Sequence, residues 1–317
     1  MKASCQTTLR KRVTVVGAGV HSAAQSQITL HPANADSGVV FLRTGLPGGR
    51  EALLEANRSN VTQTALCTVI GNGSDVSVAT IEHLLAAVSG LQLDNVLIEI
   101  DGPETPIMDG SAAAFVEAID QAGIVQQSRP RRYLKILEPV RVERDGGWAE
   151  FLPAERGFSL DIEIDFASPA IGRQRRFFQL DPATFRKDIA RARTFGFVSD
   201  VQKLWQAGFA LGSSLENSVA IDSDRVLNPE GLRYPDEFVR HKALDAVGDL
   251  SLSGAPILGA YRAYRPGHRL NALALEALFA RRSAYALVEA AQPKIPAMSR
   301  RAGAHVPVAA AAFPPAD

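Results

Sequence analysis

The sequence contains little cysteine, and this scarcity narrows both the compartment and the kind of site to expect. Cys5 and Cys67 are the only cysteines among 317 residues, too few for the disulfide framework typical of secreted domains. Two lone cysteines fit a reducing compartment, so we expect a cytoplasmic protein. They also exclude a zinc site built from thiolates, which leaves histidines and carboxylates as the metal ligands to look for.

Long apolar runs and a charge imbalance are absent as well. No run of about 18 apolar residues occurs, which argues against a transmembrane helix. Residues 1–8 contain no apolar h-region, so we expect no secretory signal. Basic and acidic residues number 34 each, so the chain lacks the basic footprint of a nucleic-acid-binding protein. The composition is 46% hydrophobic and 21% charged, ordinary for a globular protein, and the length suggests two domains.

Short strand patterns and scattered helical patterns predict an α+β fold. Apolar alternation indicates strands at Gln27–His31, Val96–Ile100, Tyr133–Leu137, Val140–Val142 and Phe158–Phe166. Helical patterns cover Ser111–Ala122, Thr184–Arg193 and the segment around His241, with Ser111 as N-cap and Gly123 as the stop of the first. Because strands and helices do not alternate strictly, α+β organisation is expected in both halves.

A polar and basic stretch, Gln126–Arg132, separates the two halves. We interpret it as an interdomain linker; the alternative is a surface loop within one domain. The predicted division is an N-terminal domain over residues 1–128 and a C-terminal domain over residues 129–301. Residues 302–317 are rich in alanine and proline and are expected to form a disordered tail.

Gly17 and Gly19 follow a strand pattern and resemble a dinucleotide-binding turn. That fingerprint requires a helix directly after the glycines, because the pyrophosphate binds at the helix N-terminus. Here another alternating strand follows, and Ser22 occupies the sixth position of the motif. The pattern therefore favours a hairpin turn, and an NAD-dependent oxidoreductase is only a distant alternative.

The helix around His241 carries the clearest candidate for metal binding. His241 and Asp245 are four residues apart, so they share one helix face, and Asp249 continues the stripe. Lys242 lies between the two candidate ligands. The opposite face is apolar, through Phe238, Ala243, Leu244, Val247 and Leu250. A charged helix face with a capped histidine is the alternative, and the metal interpretation requires a third ligand.

His83 is the candidate for that third ligand. It follows Glu82 at the start of a predicted helix with Thr80 as N-cap and Gly90 as C-terminal stop. Adjacent helical residues diverge by about 100°, so His83 could bind a metal while Glu82 acts beside it as a base. The alternative is that Glu82 complements the helix dipole and His83 packs in the core.

His268 is a further candidate, because it follows a Pro-Gly turn and begins an element at a loop edge. An ordinary surface histidine is the alternative.

Several motifs then follow one another along the chain: Gly17–Ser22, Thr80–Leu84, Leu93–Val96, Pro106–Ala112, Ser168–Ile171, Ala192–Phe197, Asp236–Asp249 and Gly267–His268. In this order they resemble the UDP-3-O-acyl-N-acetylglucosamine deacetylase family, the zinc amidases of bacterial lipid A synthesis. The resemblance extends from about Gln6 to Ala280. Ala272 departs from it, because a second asparagine is expected there.

The resemblance implies a role for each matching position. The ligands of Zn²⁺, with Fe²⁺ as an alternative in the cell, would be His83, His241 and Asp245. Glu82 would be the general base and His268 the general acid, oriented by Asp249. Thr194 would help to hold the oxyanion, and Lys242 would be a cationic residue near it. The segment Phe195–Ser218 would form a hydrophobic acyl-chain passage, with Phe195, Val201, Ala210, Ser214 and Ser218 as its candidate lining residues.

The resemblance also implies a fold, a reaction and partners. The fold would be two βααβ two-layer sandwiches whose helical layers face each other with the metal between them. The reaction would be N-deacetylation of UDP-3-O-acyl-N-acetylglucosamine, the committed step of lipid A biosynthesis. We expect a monomer whose partner is the UDP-linked acylated amino sugar, and a peripheral contact with a membrane is compatible with that substrate. Two alternatives stay open: an inactive sugar-nucleotide- or lipid-binding paralogue, and a metallohydrolase acting on a different acylated amino sugar.

Overall fold

Helices and several separate sheets make up residues 5–290, the part of the chain described by this computed structural model. The fold is α+β, as predicted. The predicted disordered tail lies outside the described residues. No helix among the described residues is long and apolar enough to cross a membrane.

Within residues 5–130 the structure has ten strands and two α-helices. The strands are β1 (Cys5–Leu9), β2 (Val13–Ala18), β3 (Gln25–Pro32), β4 (Val39–Arg43), β5 (Ala52–Glu55), β6 (Val61–Gln63), β7 (Val69–Gly71), β8 (Ser77–Val78), β9 (Val96–Ile100) and β10 (Ile124–Pro130). The helices are α1 (Glu82–Gly90) and α2 (Ala113–Ala122). The main sheet has the order β2-β3-β9-β4-β5, and β6-β7-β8 form a smaller sheet. In β9 the side chains are alternately buried and half-buried, as expected for a strand with one face on the core.

Of the second half, residues 131–290 are described and contain ten strands and four α-helices. The strands are β11 (Arg132–Ile136), β12 (Val140–Arg144), β13 (Gly147–Leu152), β14 (Phe158–Asp165), β15 (Arg173–Leu180), β16 (Phe195–Phe197), β17 (Val219–Asp222), β18 (Arg225–Val226), β19 (Ile257–Tyr264) and β20 (Tyr285–Glu289). The helices are α3 (Pro182–Thr184), α4 (Val198–Gln206), α5 (Glu237–Ser251) and α6 (His268–Ala280).

Strand β19 organises the seven-stranded sheet of this half. It pairs antiparallel with β13 and parallel with β11 and β14, and β12, β15 and β20 complete the sheet. Helix α5 packs on β14 and β15, whereas α6 packs on β12 and β13. Strands β16, β17 and β18 form a separate sheet, in which β16 and β17 are parallel and are connected through α4.

The segment expected to be a linker is a paired strand. Residues 126–130 lie in β10, which is antiparallel to β1, and β11 begins after the single residue Arg131. Arg131 is only 1% exposed, and its guanidinium donates to Asp94 Oδ2 at 2.6 and 2.9 Å. The polar composition of the segment accompanies strand pairing and one buried ion pair, and a division into domains near it stays a prediction. The predicted boundary at residue 128 falls within β10.

Three local predictions were wrong in detail. Helix α1 begins at Glu82 without a side-chain cap, because Thr80 has a positive φ of 57° and its hydroxyl donates to Glu104 instead. Helix α2 begins at Ala113, two residues beyond Ser111, although Gly123 ends it as predicted with a φ of 74°. The helix predicted over Thr184–Arg193 is replaced by α3 and a π-helical turn at Phe185–Ile189, after which the chain becomes extended.

The predicted hairpin at Gly17 and Gly19 is confirmed, since β2 and β3 are antiparallel neighbours. A Cβ atom at Gly17 would lie 3.0 Å from Pro106, and one at Gly19 would lie 2.2 Å from Glu104 Oε2. Close packing against residues 104–108 therefore explains both glycines, without a dinucleotide.

Helices α1 and α5 pack directly on each other, so the helices of the two halves face one another, as the resemblance implies. The two helices approach each other closely at Gly248. A Cβ atom there would lie 2.0 Å from the carbonyl oxygen of Glu82. Any residue other than glycine would therefore clash with this oxygen unless the backbone moved. The close packing of α1 and α5 thus requires glycine at position 248.

We predict that Gly248→Ala destabilises the protein. Alanine in a helix interior gains about 1 kcal/mol over glycine, but the clash with the Glu82 carbonyl is of the overpacking kind, which costs about 1–3 kcal/mol or more. Thermal unfolding should therefore show a lower Tm. Gly196→Ala is the matched control, since its Cβ would meet Val201 at an ordinary 3.6 Å. An unchanged or higher Tm for Gly248→Ala would contradict this account of the crossing.

Candidate metal centre and active site

Three candidate ligands converge where α1 meets α5. His83, His241 and Asp245 are all buried, and each offers a ligand atom within 4.8 Å of the others. Asp245 Oδ1 lies 3.3 Å from His241 Nε2 and 3.6 Å from His83 Nε2. The two imidazole rings are edge-on, with centroids 5.0 Å apart. The pair predicted from spacing on one helix thus meets its third ligand on another.

The hydrogen bonding of these residues fits a cation. His241 Nδ1 donates to the carbonyl oxygen of Ala192 at 3.0 Å, which leaves the Nε2 lone pair free for a metal. Burial lowers the pKa of His241 to about 3, so its ring is neutral, as a ligand must be. Asp245 Oδ1 is buried without a hydrogen-bond partner among the described residues. A bare buried carboxylate oxygen is costly, and a metal ion between it and the two Nε2 atoms would remove that cost.

Glu82 lies beside this cluster without belonging to it. Its carboxylate accepts a hydrogen bond from the backbone N–H of Thr68 at 3.1 Å through Oε2. The other oxygen, Oε1, lies 3.7 Å from His268 Nε2. Burial raises the pKa of Glu82 above its usual range, although the neighbouring His268 and His83 side chains oppose the effect. A carboxylate with a raised pKa is suited to accept a proton near neutral pH.

His268 begins α6 and faces Glu82 from the other side. Its Nδ1 is 2.9 Å from Asp249 Oδ2. Burial by itself would lower the pKa of His268, but the negative charges of Asp249 and Glu82 outweigh this effect and raise the pKa to about 10. The ring is therefore an imidazolium at neutral pH, with Nε2 available as a proton donor.

A hydrogen-bond network fixes Asp249. Its Oδ1 accepts from the Thr68 hydroxyl at 2.6 Å, and its Oδ2 accepts from Asn271 Nδ2 at 2.8 Å. The hydroxyl of Tyr261 in turn donates to Asn271 Oδ1 at 2.7 Å. Thr68 thus ties together the two carboxylates that flank His268. Sequence reasoning missed Thr68, Asn271 and Tyr261, because they come from separate elements and form no motif.

A buried ion pair secures the irregular segment that leads into β16. The backbone N–H and Nε of Arg193 both donate to Glu237 Oε1, at 3.0 and 2.9 Å, and the side chains are 2% and 0% exposed. Glu237 is in the first turn of α5, one turn before His241. The pair therefore holds Ala192, the partner of His241 Nδ1, in register with the metal ligands. No sequence pattern pointed to it.

Phe195 and Lys242 lie beside the cluster, and Thr194 directly precedes Phe195 in the chain. The Phe195 ring centroid is 6.1 Å from that of His241, and Lys242 Nζ is 5.6 Å from the Phe195 centroid. Lys242 Nζ also donates to Asp245 Oδ2 at 2.8 Å. Thr194 precedes Phe195 and is half-buried, with its N–H donating to the carbonyl oxygen of Gly110 at 2.8 Å.

The predicted passage residues occupy β16, α4 and the loop before β17. Phe195 and Val201 are half-buried, Ala210 is buried and Ser214 is exposed. The hydroxyls of Ser214 and Ser218 bond locally, to Glu216 N and Asn217 Oδ1. The exposed apolar surface of this segment comes from residues that the sequence analysis did not single out: Trp205, Phe209, Leu211 and Leu215, which are 42 to 51% exposed.

Taken together, these groups have the composition of a hydrolytic metal centre. Three buried ligands, a carboxylate with a raised pKa and a protonated histidine surround one point. Catalytic zinc sites combine three protein ligands with an open position.

Comparison with known proteins agrees with a hydrolytic metal centre and identifies the family to which the chain belongs. Residues 6–280 match the family model of UDP-3-O-acyl N-acetylglycosamine deacetylase. Proteins named UDP-3-O-acyl-N-acetylglucosamine deacetylase from Brucella ovis, Brucella abortus and Brucella melitensis are 47% identical over 286 residues, which cover 90% of this chain and 99% of theirs. The chain belongs to the UDP-3-O-acyl N-acetylglycosamine deacetylase family.

We predict that His241→Ala abolishes stoichiometric metal binding. The substitution removes one of three ligands. The two that remain, Asp245 Oδ1 and His83 Nε2, are too few for a stable catalytic metal site. Metal content of the purified variant, measured by elemental analysis, checks this. His31→Ala is the control, because His31 pairs with Glu99 at the surface, 2.8 Å away. Wild-type metal content in His241→Ala would remove that residue from the ligand set.

Proposed function

We propose that this protein hydrolyses the acetamide of UDP-3-O-acyl-N-acetylglucosamine, giving UDP-3-O-acyl-glucosamine and acetate, the committed step of lipid A biosynthesis. The observation that carries the proposal is the buried triad His83, His241 and Asp245 with Glu82 and His268 beside it, in a chain that belongs to the deacetylase family. The complete set of proton-transfer groups supports an enzyme over an inactive binding paralogue.

Zn²⁺ is the proposed metal, with Fe²⁺ as an alternative in the cell. Two neutral imidazoles and one carboxylate suit Zn²⁺ and leave a coordination position open. When bound, the ion would supply Lewis-acid polarisation of the amide carbonyl and would lower the pKa of water towards about 7.

Glu82 is the proposed general base. Its Oε2 is held by Thr68 N–H, so the other oxygen points towards the space shared with His268. It removes the proton of the attacking water as the water oxygen bonds to the acetamide carbon. The hydroxyl of Thr194 is proposed to donate to the oxyanion that develops on the carbonyl oxygen, and Lys242 adds positive charge nearby.

His268 is the proposed general acid. Its Nδ1–H is held by Asp249, so its Nε2–H is the proton that can be transferred. Donation of this proton to the sugar nitrogen allows the carbon–nitrogen bond to break, and acetate and a free amine leave. Asp249 does not touch the substrate in this scheme; it orients the ring and keeps it charged.

The remaining features support the proposed substrate and its surroundings. The apolar side chains of the segment Phe195–Ser218 provide a surface for a 3-O-acyl chain, next to the metal ligands through Phe195. We also propose a division into domains near residue 128, a monomeric state, cytoplasmic localisation and a peripheral membrane contact through this apolar segment.

The purified protein should deacetylate UDP-3-O-acyl-N-acetylglucosamine, and a chelator should abolish the activity until Zn²⁺ is restored. We predict that Glu82→Ala retains its metal and loses about 10² to 10⁴ in turnover, the usual contribution of general acid–base catalysis. Release of acetate and elemental analysis measure the two properties.

Glu99→Ala serves as the control for this experiment, because Glu99 is a half-buried carboxylate paired with a surface histidine. Loss of metal together with activity in Glu82→Ala would make Glu82 a ligand and refute its assignment as base. Absence of acetate release from fully metallated wild-type protein would refute the proposed reaction.

We predict a bell-shaped pH profile whose basic limb belongs to His268. Because the pKa of His268 is raised to about 10, the acid form persists through neutral pH, and turnover falls only as the pH rises towards that value. His268→Gln should keep its metal, lose most turnover and show a flattened basic limb. His31→Gln should leave the limb in place. A basic limb that is unchanged in His268→Gln would assign it to another group, with Lys242 as the next candidate.

A further inference from the structure

Glu104 is a buried carboxylate that no step of the proposed reaction uses. It is 2% exposed, yet its two oxygens accept four hydrogen bonds. Oε1 accepts from the backbone N–H of His21 at 3.0 Å and from the Thr80 hydroxyl at 2.8 Å. Oε2 accepts from the N–H and the hydroxyl of Ser22 at 2.9 and 2.7 Å. The carboxylate thus joins two separate parts of the chain.

One of these parts leads directly into the catalytic helix. Thr80 has a φ of 57° and lies two residues before Glu82. The backbone around Glu104 is bridged to the same segment, because Ala79 N–H donates to the Pro103 carbonyl and Thr105 N–H to the Ala79 carbonyl, both at 3.0 Å. Glu104 is therefore fixed relative to the start of α1.

The other part is the turn between β2 and β3, residues 19–24. A Cβ atom at Gly19 would lie 2.2 Å from Glu104 Oε2, so the turn presses directly on the carboxylate. His21 in this turn is half-buried, and its Nδ1 has no hydrogen-bond partner among the described residues. Burial lowers the pKa of His21; the negative charge of Glu104 opposes this effect, and His268 adds to it. His21 thus lies within electrostatic range of His268.

On its far side the same turn supports the segment proposed to bind the acyl chain. The carbonyl oxygens of Val20 and His21 accept hydrogen bonds from Gly212 and Leu211 N–H, at 3.0 and 3.2 Å. The rings of His21 and Phe209 meet edge-on with centroids 6.3 Å apart. The contacts therefore run from α1 through Glu104 and the turn to the apolar residues 209–212.

We propose that Glu104 is a positioning residue that holds the turn of residues 19–24 between the catalytic helix and the acyl-binding segment. The turn then lines one side of the substrate site, and its position relative to Glu82 is fixed before the substrate binds. The identity of the substrate rests on the proposed function, whereas the positional claim rests on these contacts alone. Only a carboxylate can fill the role, because all four contacts are donors and a glutamine amide would present an NH₂ group to some of them.

Hydrogen exchange of the metal-loaded protein tests the positional claim without any activity. In Glu104→Gln, peptides covering residues 19–24 and 209–213 should exchange at least about tenfold faster, the change expected for the loss of one or two hydrogen bonds to a charged group. Peptides within α5 should be unchanged. Ser22→Ala removes the hydroxyl bond to Glu104 and the bond that the hydroxyl oxygen accepts from Ala24 N–H, keeps the other three bonds of Glu104, and should give a smaller change in the same peptides. Glu99→Gln, also at a carboxylate, should change neither segment.

Steady-state kinetics test the consequence for substrate binding. Glu104→Gln should keep its metal and raise KM for the acylated sugar nucleotide by about tenfold with a smaller change in kcat. Wild-type exchange rates and KM in Glu104→Gln would overturn the proposal. So would faster exchange throughout α5 with loss of metal, since that pattern indicates general destabilisation. If Glu104→Gln does not fold, unchanged local exchange in Ser22→Ala overturns it equally. An inactive wild-type protein would refute the reaction but leave the exchange test intact.

Discussion

The approach of Gly248 to the carbonyl oxygen of Glu82 sets the distance between α1 and α5, and the candidate site depends on that distance. His83 is on one helix, and His241 and Asp245 are on the other. At a wider separation the imidazole of His83 would not reach the carboxylate that it now faces at 3.6 Å. One position without a Cβ atom therefore lets two helices from different halves of the chain bring three candidate metal ligands together.

The site buries several charged groups away from solvent, which costs desolvation free energy. Hydrogen bonds and opposite charges in the surrounding structure offset this cost. Asp249 is satisfied by Thr68, Asn271 and His268, so its charge is stabilised by three donors. The resulting negative field keeps His268 protonated while burial makes Glu82 a stronger base. Two groups in contact with one another thus acquire opposite proton-transfer tendencies, which is the arrangement that acid–base hydrolysis of an amide requires.

The turn at Gly17 and Gly19 shows how one pattern can have two physical causes. In a dinucleotide-binding protein such glycines allow a phosphate to approach the backbone. Here they allow Pro106 and Glu104 to approach it. The same small residues that suggest a cofactor site therefore allow a turn to pack against residues next to the start of α1, and this turn also contacts residues 209–212, in the segment proposed to bind the acyl chain.

The sequence alone determined the α+β class, the positions of five strands and the pairing of His241 with Asp245, because these follow from local periodicity that neighbours along the chain fix. Local patterns also singled out His83 and His268, and the family motifs supplied the roles expected of them. Only the tertiary structure revealed the donors that hold Asp249 and Glu104, the start of α1 at an uncapped Glu82, and the paired strand at residues 124–130. Those features depend on residues far apart in sequence, whose approach is decided by helix and sheet packing and leaves no periodic signal.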